Sequence, residues 1–263
     1  MSLKKEAFSC KNPDGYTING CVLSPNDTEE KLPAVIISHG FTSTMKKTEP
    51  YGEYTASRGC RAFIFDFCGG SMDTSSEGSF EDYMTPLTEK DDLLEVVKYV
   101  QSNTDVDSGK IILAGCSQGG FVSALAAAVL DAQIAGLVLQ YPALCIPDDA
   151  RKGSMQIIRF DPNNIPDHVG TAPMRVCRAY PASVMNMDIF TEIKRYHGPV
   201  MISHGTKDSI VPVSYAEKAY EVYQGNGNHT VLHLLEGSDH GYRGKYFEEA
   251  CGYLGDFFKY VLK

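Results

Sequence analysis

Short, uninterrupted apolar runs alternate with amphipathic stretches along most of this chain. Apolar runs of this length are typical of strands covered on both faces, and apolar residues three or four apart are typical of helices. The predicted strands are residues 33–38, 61–67, 110–114, 134–140, 199–203 and 230–235. The predicted helices are residues 48–58, 87–102, 120–130, 188–196, 214–224 and 243–262. Strands that alternate with helices predict an α/β fold, with a mostly parallel central sheet and helices on both faces.

The start of the chain has a different pattern. Residues 6–11 and 16–23 predict two strands of a hairpin, with the turn at Pro13-Asp14-Gly15. Proline presets φ at a turn and glycine tolerates positive φ, so this tripeptide suits a tight reversal.

The periodic pattern fails between residues 143 and 188. This segment has mixed charges and five prolines, at positions 147, 162, 166, 173 and 181. It is too long for a plain connection, and long insertions in compact domains are usually functional. We therefore expect a core made of residues 1–142 and 189–263, with residues 143–188 inserted as a small cap over the site.

The charge balance limits the partners of the chain. Its 263 residues carry a formal net charge of −9, which would repel nucleic-acid phosphates. The first six residues have no apolar core and do not suggest a signal peptide. The most apolar region, residues 121–147, is interrupted by Asp131 and Gln133 and so does not resemble a membrane span. We expect a cytoplasmic protein that binds neither nucleic acid nor membrane, and the sequence leaves a homodimer open.

The stretch Gly115-Cys116-Ser117-Gln118-Gly119 lies between a predicted strand and a predicted helix. A serine at such a sharp turn projects outward, and flanking glycines allow backbone segments to approach closely. The helix that follows offers free N–H groups and a partial positive charge, which suit a developing oxyanion. The G-x-S-x-G pattern alone arises often by chance, and a serine here is also a common helix cap. The strand before it and the helix after it favour Ser117 as a nucleophile.

Two further polar residues follow predicted strands in an order that suits nucleophilic catalysis. Asp208 lies beyond the strand that ends at residue 203, and His240 lies beyond the strand that ends at residue 235. The carboxyl ends of parallel strands share one edge of the sheet, so these residues and Ser117 are expected to meet there. An alcohol nucleophile needs a base, and that base needs an acid to fix its tautomer. Taken singly, Asp208 suits a turn and His240 a surface loop, but together with Ser117 they predict a Ser-His-Asp triad.

The remaining histidines and the cysteines do not predict a metal site. His39 and His204 precede glycines at strand ends and are expected to be structural, while His229 and His233 lie four apart on a strand. There is no H-E-x-x-H pattern, and the eight cysteines are scattered without C-x-x-C pairs, which indicates reduced thiols. Cys116 is expected to point away from the site. We expect no metal and no cofactor.

Four motifs, spread over almost the whole chain, resemble those of the α/β-hydrolase superfamily. They are His39-Gly40-Phe41, Gly115-Cys116-Ser117-Gln118-Gly119, His204-Gly205-Thr206-Lys207-Asp208 and Glu236-Gly237-Ser238-Asp239-His240. In that fold, the loop after the strand at residues 33–38 and the residue after the nucleophile supply the two backbone N–H groups of the oxyanion hole. The resemblance implies that these donors are the amides of Phe41 and Gln118. The ordinary alternative is that His39-Gly40 is only a tight strand exit.

Within the superfamily, the chain resembles the small cinnamoyl (feruloyl) esterases, notably in Phe160-Asp161-Pro162-Asn163-Asn164-Ile165-Pro166-Asp167. Those enzymes hydrolyse esters of hydroxycinnamic acids without a cofactor. The resemblance implies that Asp149 and Tyr180 hold the far hydroxyl of a phenolic ring and that Gln156 is a further polar lining residue. The ordinary alternatives are an exposed aspartate and a packed tyrosine.

The chain departs from that family at two places. Cys68-Gly69-Gly70-Ser71 stands where a Gly-His-Gly type run is usual, and Cys116 stands where histidine is common. Neither touches the predicted triad. The first concerns one wall of the pocket, and both bear on the acid-side specificity.

These features predict a serine carboxylesterase that hydrolyses small carboxylic esters, hydroxycinnamoyl esters among them, through an acyl-enzyme. A lipid-acyl hydrolase or a serine peptidase on the same fold is an alternative, because a triad does not determine the pocket. A binding protein that keeps the fold without turnover is a third possibility.

Overall fold

An eight-stranded sheet runs through the molecule, which a computed structural model describes over residues 3–26 and 30–263. The strands of this sheet are β1 (Leu3–Lys11), β2 (Thr17–Pro25), β3 (Leu32–Ser38), β4 (Arg61–Phe65), β5 (Val106–Cys116), β6 (Gly136–Gln140), β11 (Val200–Gly205) and β12 (Thr230–Leu235). Four two-residue strands lie between β6 and β11, namely β7 (Ser154–Met155), β8 (Ile158–Arg159), β9 (His168–Val169) and β10 (Val176–Cys177). The helices are α1 (Met45–Ser57), α2 (Pro86–Ser102), α3 (Gln118–Leu130), α4 (Ile146–Lys152), α5 (Ala179–Val184), α6 (Ile189–Glu192), α7 (Ser214–Gly225) and α8 (Lys245–Val261).

The order of the strands across the sheet is β1-β2-β4-β3-β5-β6-β11-β12. β2 pairs antiparallel with both β1 and β4, and every pair from β4 onward is parallel. The predicted N-terminal hairpin is therefore present as β1 and β2. The predicted α/β architecture with a mostly parallel sheet is confirmed.

Helices cover both faces of the sheet because successive strand residues point to opposite sides. In β3, Ile36 belongs to a buried cluster with Leu93 of α2 and Phe121 of α3. Its neighbour Val35 belongs to a second cluster with Leu254 of α8 and with α1 residues. The near-continuous apolar runs in the sequence reflect this burial on both sides. Two packed layers hold the carboxyl edge of the sheet rigid, and the candidate site lies at that edge.

Several element boundaries differ from the sequence-based ones. β5 begins at Val106, ahead of the apolar run, because Val106 pairs with Leu32 before a register shift. β4 ends at Phe65, because the Asp66 carboxylate accepts from the amides of Met45, at the start of α1, and Ser75, in the loop after β4. The helix predicted over residues 188–196 is shorter: α6 ends at Glu192 and a 3₁₀ turn follows.

The inserted segment, which we define as residues 143–188, contains α4, two small hairpins (β7 with β8, and β9 with β10) and α5. A hydrogen bond and an ion pair attach its second hairpin to the loop before α2. His168 Nε2 lies 2.8 Å from Asp82 Oδ1, and Arg175 Nη1 lies 3.1 Å from Glu81 Oε2. That this segment is a cap, separate from the core and bounded by residues 143 and 188, stays a prediction.

No helix within the described residues is both long and apolar enough to cross a membrane. Met1 and Ser2 lie outside the described residues. They belong to the first six residues, in which the sequence did not suggest a signal peptide.

Candidate active site

Ser117 occupies the turn between β5 and α3, where its backbone has φ 55° and ψ −120°. Two glycines make that turn possible. A Cβ added at Gly115 would lie 2.1 Å from the carbonyl oxygen of Gly119, and one added at Gly119 would lie 2.4 Å from that of Ser38. Any larger residue would force these strands and the helix apart. The turn therefore follows directly from the glycine spacing, and it exposes the serine hydroxyl at the end of the strand.

The structure brings Ser117, His240 and Asp208 together. The Oγ of Ser117 lies 3.0 Å from Nε2 of His240, and Nδ1 of His240 lies 2.8 Å from Oδ2 of Asp208. Asp208 follows β11 and His240 follows β12, two parallel neighbours in the sheet. An ionised carboxylate only accepts hydrogen bonds, so Nδ1 carries the proton and Nε2 is free to accept the serine proton.

The surroundings of Asp208 favour its ionised form. Its side chain is fully buried, and Oδ1 accepts from the amides of Ile210 (2.9 Å) and Val211 (2.8 Å). Oδ2 is also 3.2 Å from Nε2 of His204. Burial alone would raise the pKa of Asp208, but hydrogen bonds from His204 and His240 outweigh it and hold the pKa below its ordinary value. Asp208 is thus a permanent negative charge next to the imidazole of His240.

His39 orients one of the predicted oxyanion donors. Its Nε2 accepts from the amide of Phe67 at 3.2 Å, so Nδ1 carries the proton and donates to the carbonyl of Gly40 at 2.9 Å. In a planar trans peptide the C=O of Gly40 and the N–H of Phe41 point in opposite directions. A Cβ at Gly40 would lie 3.1 Å from the Cβ of Ser117, which places this peptide beside the nucleophile.

The amides of Phe41 and Gln118 are available as donors. Among the described residues, neither amide donates to a carbonyl or a side chain, and Gln118 begins helix α3. Free amides at a helix N-terminus are suited to stabilising negative charge on an oxygen. The arrangement is compatible with the predicted pair of oxyanion donors.

A cleft beside Ser117 encloses, together with the open solvent at its mouth, about 470 Å³ of space. All three residues that the resemblance assigned to substrate binding line it, namely Asp149, Gln156 and Tyr180. Burial, the largest effect, raises the pKa of the half-buried Asp149 carboxyl above its ordinary value. Gln156 is exposed at the turn of the first small hairpin. The rest of the lining is mainly apolar and includes Phe41, Ile146, Met155, Ile158, Ile210 and Val211.

The hydroxyl of Tyr180 has a partner within the protein. It donates to Oε1 of Gln118, and the residue is only 2% exposed. The resemblance assigned Tyr180 to substrate binding, and that role stays a prediction beside this internal hydrogen bond.

Two residues at the site escaped the sequence analysis. Glu89 of α2 is 1% exposed, and its Oε2 accepts from Nε2 of Gln118 at 2.7 Å. The sequence carried a signal for Glu89, because this acid lies four residues before Leu93 and so shares the buried side of α2 with it. The ring of Tyr141 packs edge-on against His240 with centroids 4.9 Å apart. No sequence signal beyond its place after β6 indicated this contact.

Several known proteins are similar to this chain. The sequence profile of the prolyl oligopeptidase family matches residues 53–263. The structure of Est1E from Butyrivibrio proteoclasticus with ferulic acid bound is 28% identical, covers 95% of this chain and 97% of its own, and superposes with a TM-score of 0.86. The esterase Pf2001 from Pyrococcus furiosus shares the fold, with 20% identity, coverage of 99% and 94%, and a TM-score of 0.75.

The uncharacterised protein YqkD of Bacillus subtilis (strain 168) is 24% identical over 243 residues, which are 90% of this chain and 73% of that protein. Together these comparisons confirm the α/β-hydrolase fold and the resemblance to feruloyl esterases that the motifs indicated.

Proposed function

Since this chain belongs to the prolyl oligopeptidase family of α/β hydrolases, we propose that it is a serine carboxylesterase that hydrolyses small esters, hydroxycinnamoyl esters among them. One observation carries the proposal. The Oγ of Ser117 lies 3.0 Å from Nε2 of His240, whose Nδ1 lies 2.8 Å from the buried carboxylate of Asp208. The base is within hydrogen-bond reach of both the nucleophile and the orienting acid, and the nucleophile lines the cleft.

This geometry supports a two-step reaction. Ser117 Oγ attacks the ester carbonyl carbon while its proton passes to Nε2 of His240. The carbonyl oxygen becomes an oxyanion, which the amides of Phe41 and Gln118 stabilise. When the intermediate collapses, the bond to the alcohol breaks, and the alcohol leaves with the proton from His240. Water then attacks the acyl-enzyme by the same route and releases the acid.

The chemistry of the cleft supports an aromatic acyl group with a polar far end. Its walls are mostly apolar, which suits a flat ring, while Asp149 and Gln156 add polar groups. Est1E, which is 28% identical, holds ferulic acid, a hydroxycinnamic acid. We infer that the inserted segment forms the acyl pocket as a cap and that Asp149 accepts a hydrogen bond from a phenolic hydroxyl.

The experiment compares kcat/KM for methyl ferulate, methyl cinnamate, p-nitrophenyl acetate and a long-chain p-nitrophenyl ester. We expect methyl ferulate to be preferred among the methyl esters. Ser117→Ala should lower kcat/KM at least about 10⁴-fold for every ester that is hydrolysed. Ser102→Ala, which removes an exposed serine hydroxyl that donates to the Tyr99 carbonyl, is the matched control. Wild-type turnover in Ser117→Ala would exclude Ser117 as the nucleophile.

The family itself favours a second candidate, a serine peptidase, because its profile is that of the prolyl oligopeptidases. The same triad could attack an amide carbonyl. Cleavage of a proline-containing peptide amide with a higher kcat/KM than any ester in the panel would favour this activity.

A further inference from the structure

Tyr180 of α5 contacts both residues whose amides are the proposed oxyanion donors. Its ring lies against that of Phe41, with centroids 5.5 Å apart, and its hydroxyl donates to Oε1 of Gln118. Among the described residues, the ring of Phe80 also packs against Phe41, but it has no hydroxyl to donate to Gln118. One side chain of the inserted segment therefore connects the two halves of the site that would bind the oxyanion.

The side chain of Gln118 is held at both ends. Its Nε2 donates to Oε2 of Glu89 at 2.7 Å, and its Oε1 accepts from Tyr180. The two partners fix the orientation of the amide, because Glu89 needs a donor and the Tyr180 hydroxyl needs an acceptor. All three side chains are at least 98% buried, where such hydrogen bonds are strong and their loss is costly. The backbone of Gln118 is thus tied to α2 on one side and to α5 on the other.

The hydroxyl of Tyr180 is poorly placed to donate a hydrogen bond to a substrate. Burial holds the pKa of Tyr180 well above its ordinary range, so the hydroxyl keeps its single proton. That proton is already donated to Gln118. Redirecting it to a ligand would leave Oε1 of Gln118 buried without a donor, which is unfavourable. The residue itself lies in the lining of the cleft.

We propose that Tyr180 is a positioning residue that holds the oxyanion donors of Gln118 and Phe41 in place and so couples the inserted segment to the nucleophile turn. The inference rests on the proposed ester hydrolysis, and it assigns Tyr180 to transition-state stabilisation and not to recognition of the acyl tail. Every substrate passes through the oxyanion, whatever its tail. Loss of the hydroxyl should therefore slow all of them alike.

The test compares Tyr180→Phe with the wild type on methyl ferulate, methyl cinnamate and p-nitrophenyl acetate. The acyl group of methyl ferulate has a phenolic hydroxyl, that of methyl cinnamate lacks this hydroxyl, and that of p-nitrophenyl acetate has no aromatic ring. We expect kcat to fall about tenfold for all three, a part of the 10²–10³ that complete removal of a donor costs, with KM nearly unchanged. A rise in KM for methyl ferulate alone would show that Tyr180 binds the substrate and would overturn the inference. Unchanged kinetics would overturn it as well.

Tyr215→Phe is the matched control. The hydroxyl of Tyr215, in α7, also links the core to the inserted segment, by donating to Asp148 Oδ2 at 2.6 Å, but it does not line the cleft. We expect this variant to keep kcat within about twofold of wild type. Comparable midpoints of thermal unfolding for the two variants would exclude a general loss of structure. A tenfold loss in both would assign the effect to the attachment of the segment as a whole and would contradict a specific role for Tyr180.

A second readout separates the inference from the proposed function. A fluorophosphonate phosphonylates Ser117 through an oxyanionic transition state and needs no acyl pocket. We expect Tyr180→Phe to slow this labelling about tenfold and Tyr215→Phe to leave it unchanged. Normal labelling of a wild type that hydrolyses no ester would contradict only the ester function. Unchanged labelling of Tyr180→Phe would contradict only the inference, and an unlabelled wild type would contradict both.

Discussion

Ser117 has a backbone conformation that residues other than glycine rarely adopt, with φ 55° and ψ −120°. Such a conformation costs about 1–3 kcal/mol and persists only where the surroundings impose it. Here they do, because the Ser117 amide donates to the carbonyl of Gln140 and its own carbonyl accepts from Gly120, Phe121 and Ala143. These hydrogen bonds hold the strained turn, which directs the Ser117 hydroxyl towards His240. The reactivity of this serine therefore depends on the contacts that orient it as much as on its hydroxyl group.

We expect Asp208→Asn to lower kcat/KM for p-nitrophenyl acetate by about 10⁴-fold. The amides of Ile210 and Val211 would hold the new carbonyl oxygen at the Oδ1 position, which places the NH₂ group opposite His240. His240 would then accept at Nδ1 and carry its proton on Nε2, where it could not receive the serine proton. Asp256→Asn, in a surface ion pair with Lys259, is the control and should keep full activity. A loss below tenfold for Asp208→Asn would refute the role of Asp208.

The carboxyl ends of three strands position the candidate site. β5, β11 and β12 are parallel strands of one sheet, and each is followed by one member of the Ser-His-Asp group. Helix α2 contributes from the side. It begins with a capping box between Thr85 and Thr88, has proline at its first position, and directs Glu89 towards Gln118. Short, rigid elements with defined starts and stops thus bring together residues that are far apart in the chain.

At the junction of β5 and α3 we expect Gly115→Ala to destabilise the protein by several kcal/mol. Its Cβ would lie 2.1 Å from a backbone oxygen and 2.6 Å from Ser123 Oγ, and backbone cannot move aside cheaply. Gly252→Ala is the matched change, since Gly252 lies in α8 with open space around it. Alanine there should raise the free energy of unfolding by about 0.5–1 kcal/mol. Urea unfolding of both variants checks this, and equal stability would contradict the close approach.

Across the whole molecule, one buried carboxylate joins three separate parts of the chain. Asp92 of α2 accepts from Nδ2 of Asn12, in the turn of the N-terminal hairpin, at 2.8 Å. It also accepts from the amide of Cys68, in the loop after β4, at 2.7 Å. Burial, against the effect of these two donors, raises the pKa of Asp92 to about 7. The hairpin and the loop are thus attached to the core by a group that titrates near neutral pH.

This pKa gives the stability of the fold a pH dependence. In the unfolded chain an aspartate has a pKa near 3.9, so the folded protein binds the proton more tightly, and its stability falls as the pH rises from about 4 to 7. Between pH 5.5 and 8 the contribution of Asp92 to the free energy of unfolding should drop by about 2 kcal/mol. Asp92→Asn should remove that part of the pH dependence, while Asp256→Asn, in an exposed pair with Lys259, should keep it. Urea unfolding at both pH values measures the difference, and parallel pH profiles for wild type and Asp92→Asn would contradict it.

The sequence by itself determined the alternation of strands and helices, and with it the parallel sheet. It also indicated the places where chemistry would gather. Ser117, Asp208 and His240 each follow an apolar run, and parallel strands end at a common edge, so local signals sufficed to predict their meeting. The same reasoning did not find Glu89, because an acid on a helix is ordinary until its face is known to be buried.

Only the tertiary structure decided which side chains of the inserted segment face the cleft and which bond to the core. That segment has no sustained period, so its direction over the core cannot be inferred from spacing. Asp149 faces the cleft, while the Tyr180 hydroxyl donates to Gln118. The residues next to Asp149 and Tyr180 in the sequence do not indicate this difference. The physical reason is that strand and helix patterns depend on local burial, whereas hydrogen bonds between side chains distant in sequence depend on how whole elements pack.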